Sequence, residues 1–472
     1  MENNPYSTLR KEAFWRTAVA DCNQFEIKGL WKPRFQIDPK MKVATFGSCF
    51  AQHIGRALAA NGFQWMDAEP GPRGLSVENR KRFNYGIFSA RTGNIYTTAL
   101  LYQWLAWAVG IADVPTEVWD HDGRFYDPFR PSIEPDGFAS REELFQSRKI
   151  TLKALNTIVQ TCDVFVFTLG LTEAWVNNRK GYEYAVCPGT VAGSFDPSQH
   201  RFHNHDFTSI RSNLIEAVKL ISERNHRARF LFTVSPVPLT ATMSGEHVAV
   251  ATMASKSILR AVAQDAISDP VSYLHHSFLD ATWKIYGEVK KVSDGIRIAL
   301  PSPNPFLGIK KQTEPVADGM IPLALKCKTD HAGILMVSVS SASASRKHGQ
   351  TWKINLKSGL NQITMKLNAP PGTDRPWVWL DIGGIQDGVT FMDVKTEERI
   401  DYFPSYEIIN SPIFGGNFFE PNRRNVSHYG VNFVMSHFFA SLGKLASLGS
   451  AAPKELDEFE ALCDEEMLDT KP

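Results

Sequence analysis

The stretch TFGSCFAQHIGR, residues 45–56, places two candidate nucleophiles side by side where an apolar run turns into a helical pattern. A Gly-Ser step at such a junction displays a hydroxyl near helix N-terminal amides, which stabilise an oxyanion developing beside it. Ser48 therefore suits acyl transfer. Serine is equally a favoured helix N-cap and glycine a common tight-turn residue, so position alone leaves both readings open. Cys49 also sits at the helix start, where a thiolate is favoured, but free cysteines are commonly buried and inert, and it ranks behind Ser48.

A nucleophile needs a base. His53 falls five residues past Ser48, off its helix face, which suits packing or the surface. His247, in SGEHVAVATMASKS, follows a strand-like run and precedes a helix, near the same edge of the expected sheet. QHRFHNHD at 199–206 gathers His200, His203, His205 and Asp206, without helical i,i+4 pairing or a cysteine partner, and reads as a solvated loop with no metal. Glu173 reads as the start of a helix, where the dipole favours an acid, and with Trp175 it would shape a pocket.

These residues need a scaffold, and the apolar runs provide one. KVATFG (42–47), CDVFVFTLG (162–170) and RFLFTVSP (229–236) are continuous, as in parallel strands covered on both faces. Helical patterns at 140–160 and 207–225 alternate with them, which argues for a doubly wound α/β domain. In such sheets ligands bind at the carboxyl ends of the strands, where Gly47-Ser48, Gly170 and Ser235-Pro236 all fall. ALLYQWLAWAVGIADV, interrupted by Gln103, is too short to span a bilayer and reads as a buried helix.

From about 287 to 397 the pattern shifts to period-two alternation with Gly and Pro turns, as in Trp352, Ile354 and Leu356. This predicts an inserted β-sandwich. The expected division is an α/β domain over 1–286, the insert over 287–397, a closing strand and helix over 398–448, and a peripheral acidic tail over 449–472. A chain of 472 residues with a formal net charge of +1 has no global pull toward nucleic acid or membrane. Six scattered cysteines without C-x-x-C pairs, and no export signal in MENNPYSTLRKEAFW, fit reduced thiols in a cytoplasm.

FGSCFAQHIGR, FSARTGNIYTT (88–98), FTLGLTEAWV (167–176), TVSPVPLTAT (233–242), SKSILR (255–260) and DYFPSYEI (401–408), in that order, resemble the GSCFA-domain family. The resemblance covers roughly 5–285 and 398–445. That family is similar to the SGNH, or GDSL-like, hydrolases and to bacterial enzymes of capsular-polysaccharide acylation. It implies a flavodoxin-like sheet and serine ester chemistry, with acylated glycans or polysaccharides as substrates. Carried over by residue, Ser48 matches the block-one serine, whose own amide would be an oxyanion donor, and Gly93 the block-two glycine, a second amide. Gly170-Leu171-Thr172 departs from the third block, Gly-x-Asn, so Thr172 or Asn94 would supply the side-chain donor. The Asp-x-x-His of that pattern is matched by Asn425 and His428 in FFEPNRRNVSHYGV. Asparagine can hold an imidazole, but it cannot stabilise imidazolium by charge. His247 and Lys256 of the Ser-Lys-Ser motif are the further site residues so implied. The expected activity is esterase or O-acyltransferase, needing no cofactor beyond acyl-CoA as a donor in the second case. The rival is a glycan-binding protein whose catalytic site has decayed. In the insert, Trp352, Trp377 and Trp379 resemble the sugar-stacking aromatics of carbohydrate-binding modules, and equally suit a core.

Overall fold

The structure is a computed structural model that describes residues 4–268, 283–292, 295–299, 307–313, 319–341, 350–373, 375–395, 398–443, 461 and 463–468. Strands Val43–Gly47 (β1), Val164–Leu169 (β2), Arg229–Val234 (β3) and Ile400–Tyr402 (β4) lie side by side in that order, all parallel. Register aligns Phe46, Phe167, Phe232 and Tyr402 in one row across the sheet. One position on, Gly47, Thr168 and Thr233 end the strands level with one another.

Among the described residues, the helices that flank this sheet include Cys49–Ala60 (α1), Thr98–Ala108 (α2), Arg141–Thr161 (α3), Phe207–Arg224 (α4), Val248–Ser268 (α5) and His428–Ser441 (α6). Period-two strands present alternate residues to opposite faces. Phe46, Phe165, Phe167, Phe230 and Phe232 pack with α2, α3, α4 and α5. Val43, Val164, Val166 and Leu231 pack with α1 and α6 through Phe50, Ile54, Val434 and Phe438. Covering both faces is what makes the strands continuous apolar runs rather than alternating ones. Trp104 of α2 is fully buried, as its apolar sequence requires.

The described residues of 284–395 form two five-stranded sheets with antiparallel pairing, sharing one apolar cluster that includes Leu323, Leu325, Val337, Val378, Leu380 and Phe391. Strand Lys284–Tyr286 already pairs within this unit, against Gly308–Lys310. Trp352 packs on the cluster, whereas Trp377 and Trp379 occupy the other face of their strand. Their ring faces hold the Lys310 ammonium, 5.4 and 4.1 Å from the two centroids. That is a cation–π arrangement.

Two local expectations change. Glu173 begins a strand, Glu173–Asn177, rather than a helix; Trp175 and Val176 favour the extended state, and strands at 183–184 and 200–204 bond it on both sides. The histidine-rich stretch is one of those partners rather than a solvated loop. His200 and His205 are buried, His205 Nε2 lies 2.5 Å from Glu183 Oε1, and Asp206 caps α4 through the Ser209 amide.

Candidate active site

The turn after β1 is set by Gly47. Its φ of +130° is one that side chains rarely adopt, and a Cβ there would fall 2.3 Å from the Thr168 carbonyl oxygen. The chain therefore passes tightly against β2 before α1 begins, with the Ser48 amide donating to Thr168 O at 3.2 Å. Thr97, Ser140, Asp206 and Ser427 each cap a helix by accepting from the amide three residues on. Ser48 holds the same N-cap position on α1 and makes no such bond. Its side chain is buried, 2% exposed, and Oγ has no hydrogen-bond partner among the described residues. A buried hydroxyl left unpaired costs about 1–3 kcal/mol, so helix capping does not account for this serine.

Gly170, after β2, closes the niche from the side. A Cβ on it would sit 3.2 Å from Ser48 Cβ and 2.9 Å from Tyr96 O. Buried Lys256 of α5 fixes this loop by donating from Nζ to Gly170 O at 2.7 Å. Asn94 is wholly buried, accepts at Oδ1 from Gln52 of α1 at 3.0 Å and donates from Nδ2 to Asp464 Oδ2 at 3.0 Å. Gly93 turns at φ +69° against the Arg130 side chain.

Two of the groups implied for an oxyanion hole, the Ser48 amide and Thr172, bond to other partners. The Ser48 amide is committed to Thr168 and the Gly170 amide to Tyr96 O at 3.1 Å. Thr172 turns to Ser255, its amide and hydroxyl lying 3.1 and 3.2 Å from Ser255 Oγ. Asn94 is left as the side-chain amide beside α1.

Among the described residues, His428 and Asn425 likewise bond to other partners. His428 begins α6 and bonds through Nε2 to Asn432 Nδ2 at 2.9 Å, while Asn425 Oδ1 accepts from Arg424 at 3.3 Å. One helix turn brings Asn432 to His428 at i,i+4, nearer than the loop residue three before it. His247 is exposed at the entry to α5, where Nδ1 accepts the Ala249 amide. Glu173 accepts from Thr242 Oγ1 at 2.5 Å and lines an apolar cavity together with Trp175.

What gathers instead is a polar cavity of about 510 Å³ whose lining includes Cys49, His53, His428, Asn425, Cys463 and Glu466. Burial, then Arg56 and His428, pull the His53 ring down to about 4. His53 is thus a neutral imidazole at physiological pH, and it lines this cavity, a placement that its helix spacing did not suggest. Because this value lies below the unfolded 6.5, charging His53 is disfavoured in the fold, and its stabilising effect is full above 6.5 and lost as pH falls toward 4. Histidine NMR should accordingly find the ring neutral down to about pH 4; titration near 6.5 would contradict this placement.

Cys463 and Asp464 come from the segment expected to be peripheral. Asp464 is buried, and that burial pushes its carboxyl above the usual range. The Cys463 thiol is drawn down to about 6 by a hydrogen bond with Cys49, opposed by burial and helped by Arg424, whose Nη2 lies 3.4 Å away. Glu466 pairs with Arg424 at 3.1 Å. The signal for this docking was faint: apolar and thiol residues interleaved with the acids in ALCDEEML.

A buried charge cluster steadies the loop that carries Asn94. Asp127 accepts from Arg148 at 2.8 and 3.0 Å and from Arg130 Nε at 2.9 Å, and Arg130 reaches Arg91 O at 3.0 Å and Thr151 at 2.6 Å.

Among the described residues, no helix is long and apolar enough to cross a membrane. No curated protein matches the chain. Solved structures offer slight likenesses. One, described as "CBM4 structure and function", is 16% identical over 24% of this chain and 85% of its own, with a TM-score of 0.21. A cycloisomaltooligosaccharide glucanotransferase from Paenibacillus sp. complexed with cycloisomaltoheptaose is 8% identical over 64% and 47%, with a TM-score of 0.15. At such scores neither bears on the fold. The GSCFA family model matches residues 42–275 and 389–438, which takes in all four parallel strands and the Ser48 turn and skips most of the antiparallel unit. The chain belongs to the GSCFA family.

Proposed function

We propose that this GSCFA protein cleaves or transfers O-acyl groups on carbohydrate, with an SGNH-like site in which Ser48 is the nucleophile. The observation that carries the reading is the Ser48 hydroxyl itself: buried, uncapping and unpartnered on a strand-to-helix turn. Preorganised sites keep reactive groups out of competing bonds, and a buried polar group without a partner in a folded protein calls for a reason. Asn94 Nδ2, on the buried side of α1, is the donor assigned to the developing oxyanion once Asp464 leaves it. The imidazole of His428 or of His53 takes the serine proton. The β-sandwich reading of residues 287–397, as a unit that holds a glycan near the site, belongs to the same proposal and requires Lys310 to yield the tryptophan faces.

A second reading is favoured by the cavity lining. Cys49, rather than Ser48, shares a wall with His53, His428 and Asn425, a set that suits a thiolate nucleophile. Mass spectrometry of the protein treated separately with a fluorophosphonate and with iodoacetamide separates the readings. A fluorophosphonate adduct on Ser48 supports the first; no such adduct, with alkylation of Cys49 that abolishes ester turnover, supports the second. Labelling of neither leaves the glycan-binding rival.

A further inference from the structure

Beside the Ser48 niche lies a second cavity of about 390 Å³, walled by side chains that include Tyr96, Leu171, Trp175, Val186, Phe195 and Leu239. Its inner end is fixed by the niche, since Tyr96 and Leu171 adjoin the Gly170 position that faces Ser48 Cβ. The acids in its wall are engaged already. Glu183 bonds Thr97 at 2.5 Å and His205 at 2.5 Å, and Glu173 bonds Thr242. The space offered is therefore apolar, and apolar pockets with one polar end suit ligands built the same way.

The chain's own residues 464–468 trace that shape. Asp464 places a carboxylate on Asn94 Nδ2 at 3.0 Å, and Leu468, four residues on in the same short helical turn, lies at the mouth of the apolar cavity, 42% exposed. A carboxyl group on the amide donor and an aliphatic group in the cavity, joined by a short span, is the outline of a fatty acid. We propose that this cavity binds the aliphatic chain of a medium-chain acyl group, with its carboxyl end at Asn94 where Asp464 now sits. The proposal rests on the ester reading only for what happens at Ser48; the binding itself does not depend on it. It makes the transferred group longer than acetyl, and it makes residues 463–468 a built-in competitor that must leave before the ligand enters.

Calorimetric titration of the full chain with sodium octanoate, and with sodium acetate as control, tests this directly. Octanoate should bind and acetate should not. Asp464→Ala removes the competing carboxylate and should bind octanoate about tenfold more tightly, because a ligand's apparent affinity rises with the fraction of open protein. Ala241→Trp, at an exposed position on the cavity wall, should lose octanoate at least about tenfold by filling the pocket, with an unchanged melting temperature because the position is on the surface. No binding of octanoate to either the parent or Asp464→Ala overturns the proposal, as does an Ala241→Trp protein that binds it equally well, or an Asp464→Ala protein that binds it no better. If octanoate fails while a fluorophosphonate labels Ser48, the acyl-chain site falls and the ester reading survives. If octanoate binds as described and nothing labels, the site stands and the ester reading falls.

Discussion

Ser48→Ala should lose about 10⁴-fold or more of p-nitrophenyl acetate turnover, as removal of a triad-type nucleophile does, while melting no lower than the parent. The second half of that expectation matters as much as the first. An ordinary N-cap replaced by alanine costs about 1 kcal/mol, whereas deleting a buried hydroxyl that has no partner removes an unfavourable group and is neutral or stabilising. Lower stability with full turnover would mark Ser48 as a cap. Lost turnover with equal or higher stability marks it as a nucleophile held at some cost to the fold, the usual trade at a reactive site. Cys49→Ala should keep most activity, and a dead Cys49→Ala protein beside an active Ser48→Ala protein would shift the chemistry one residue along.

The largest stability effect should come from Asp127→Ala. This carboxylate is buried between Arg130 and Arg148, whose side chains are 0% and 2% exposed in the two ion pairs. Removing one partner of a buried pair leaves uncompensated charge and costs about 3–5 kcal/mol, and here two guanidinium groups lose their counterion together. Burial alone would raise the Asp127 carboxyl, but Arg148 and Arg130 outweigh it and hold the carboxyl below the ordinary range. With the folded value depressed, its contribution is full above the unfolded pKa of about 3.9 and is lost as pH falls through the lower folded value. Asp127→Ala should therefore lower the melting temperature at neutral pH, with the deficit shrinking in strong acid. A deficit independent of pH would mean that packing, not charge, holds this cluster. Because Arg130 contacts Gly93 and the Arg91 carbonyl, the variant should also impair the loop bearing Asn94.

Much of the scaffold was legible because each strand carries its own signal. Continuous apolar runs ending in Gly47, Gly170 and Ser235 are what a sheet covered on both faces demands, and all three end at one edge. Alternation from about 287 to 397 likewise announced strands, which form antiparallel sheets over 284–395. The site was less legible, for physical reasons that differ by residue. Asp464 meets Asn94 across 370 positions, a contact no local pattern encodes. His53 was set aside on helix spacing, yet the cavity it lines is shaped by α6 and by Ala461, Cys463 and Glu466. Asp127 and Arg148 look like ordinary surface charges until their mutual burial is seen. Glu173 was misplaced on a helix because the dipole argument presupposed one, while backbone pairing with two flanking strands decided the matter.

Whether Ser48 carries an acyl group is the question on which the account turns. Mixing the protein with p-nitrophenyl acetate, quenching in acid and sequencing the peptide that spans residues 45–56 by mass spectrometry answers it. The account predicts one acetyl group on Ser48, absent in Ser48→Ala and retained in Cys49→Ala. An acetyl group found on Cys49 instead, or an unmodified peptide during active turnover, would contradict it.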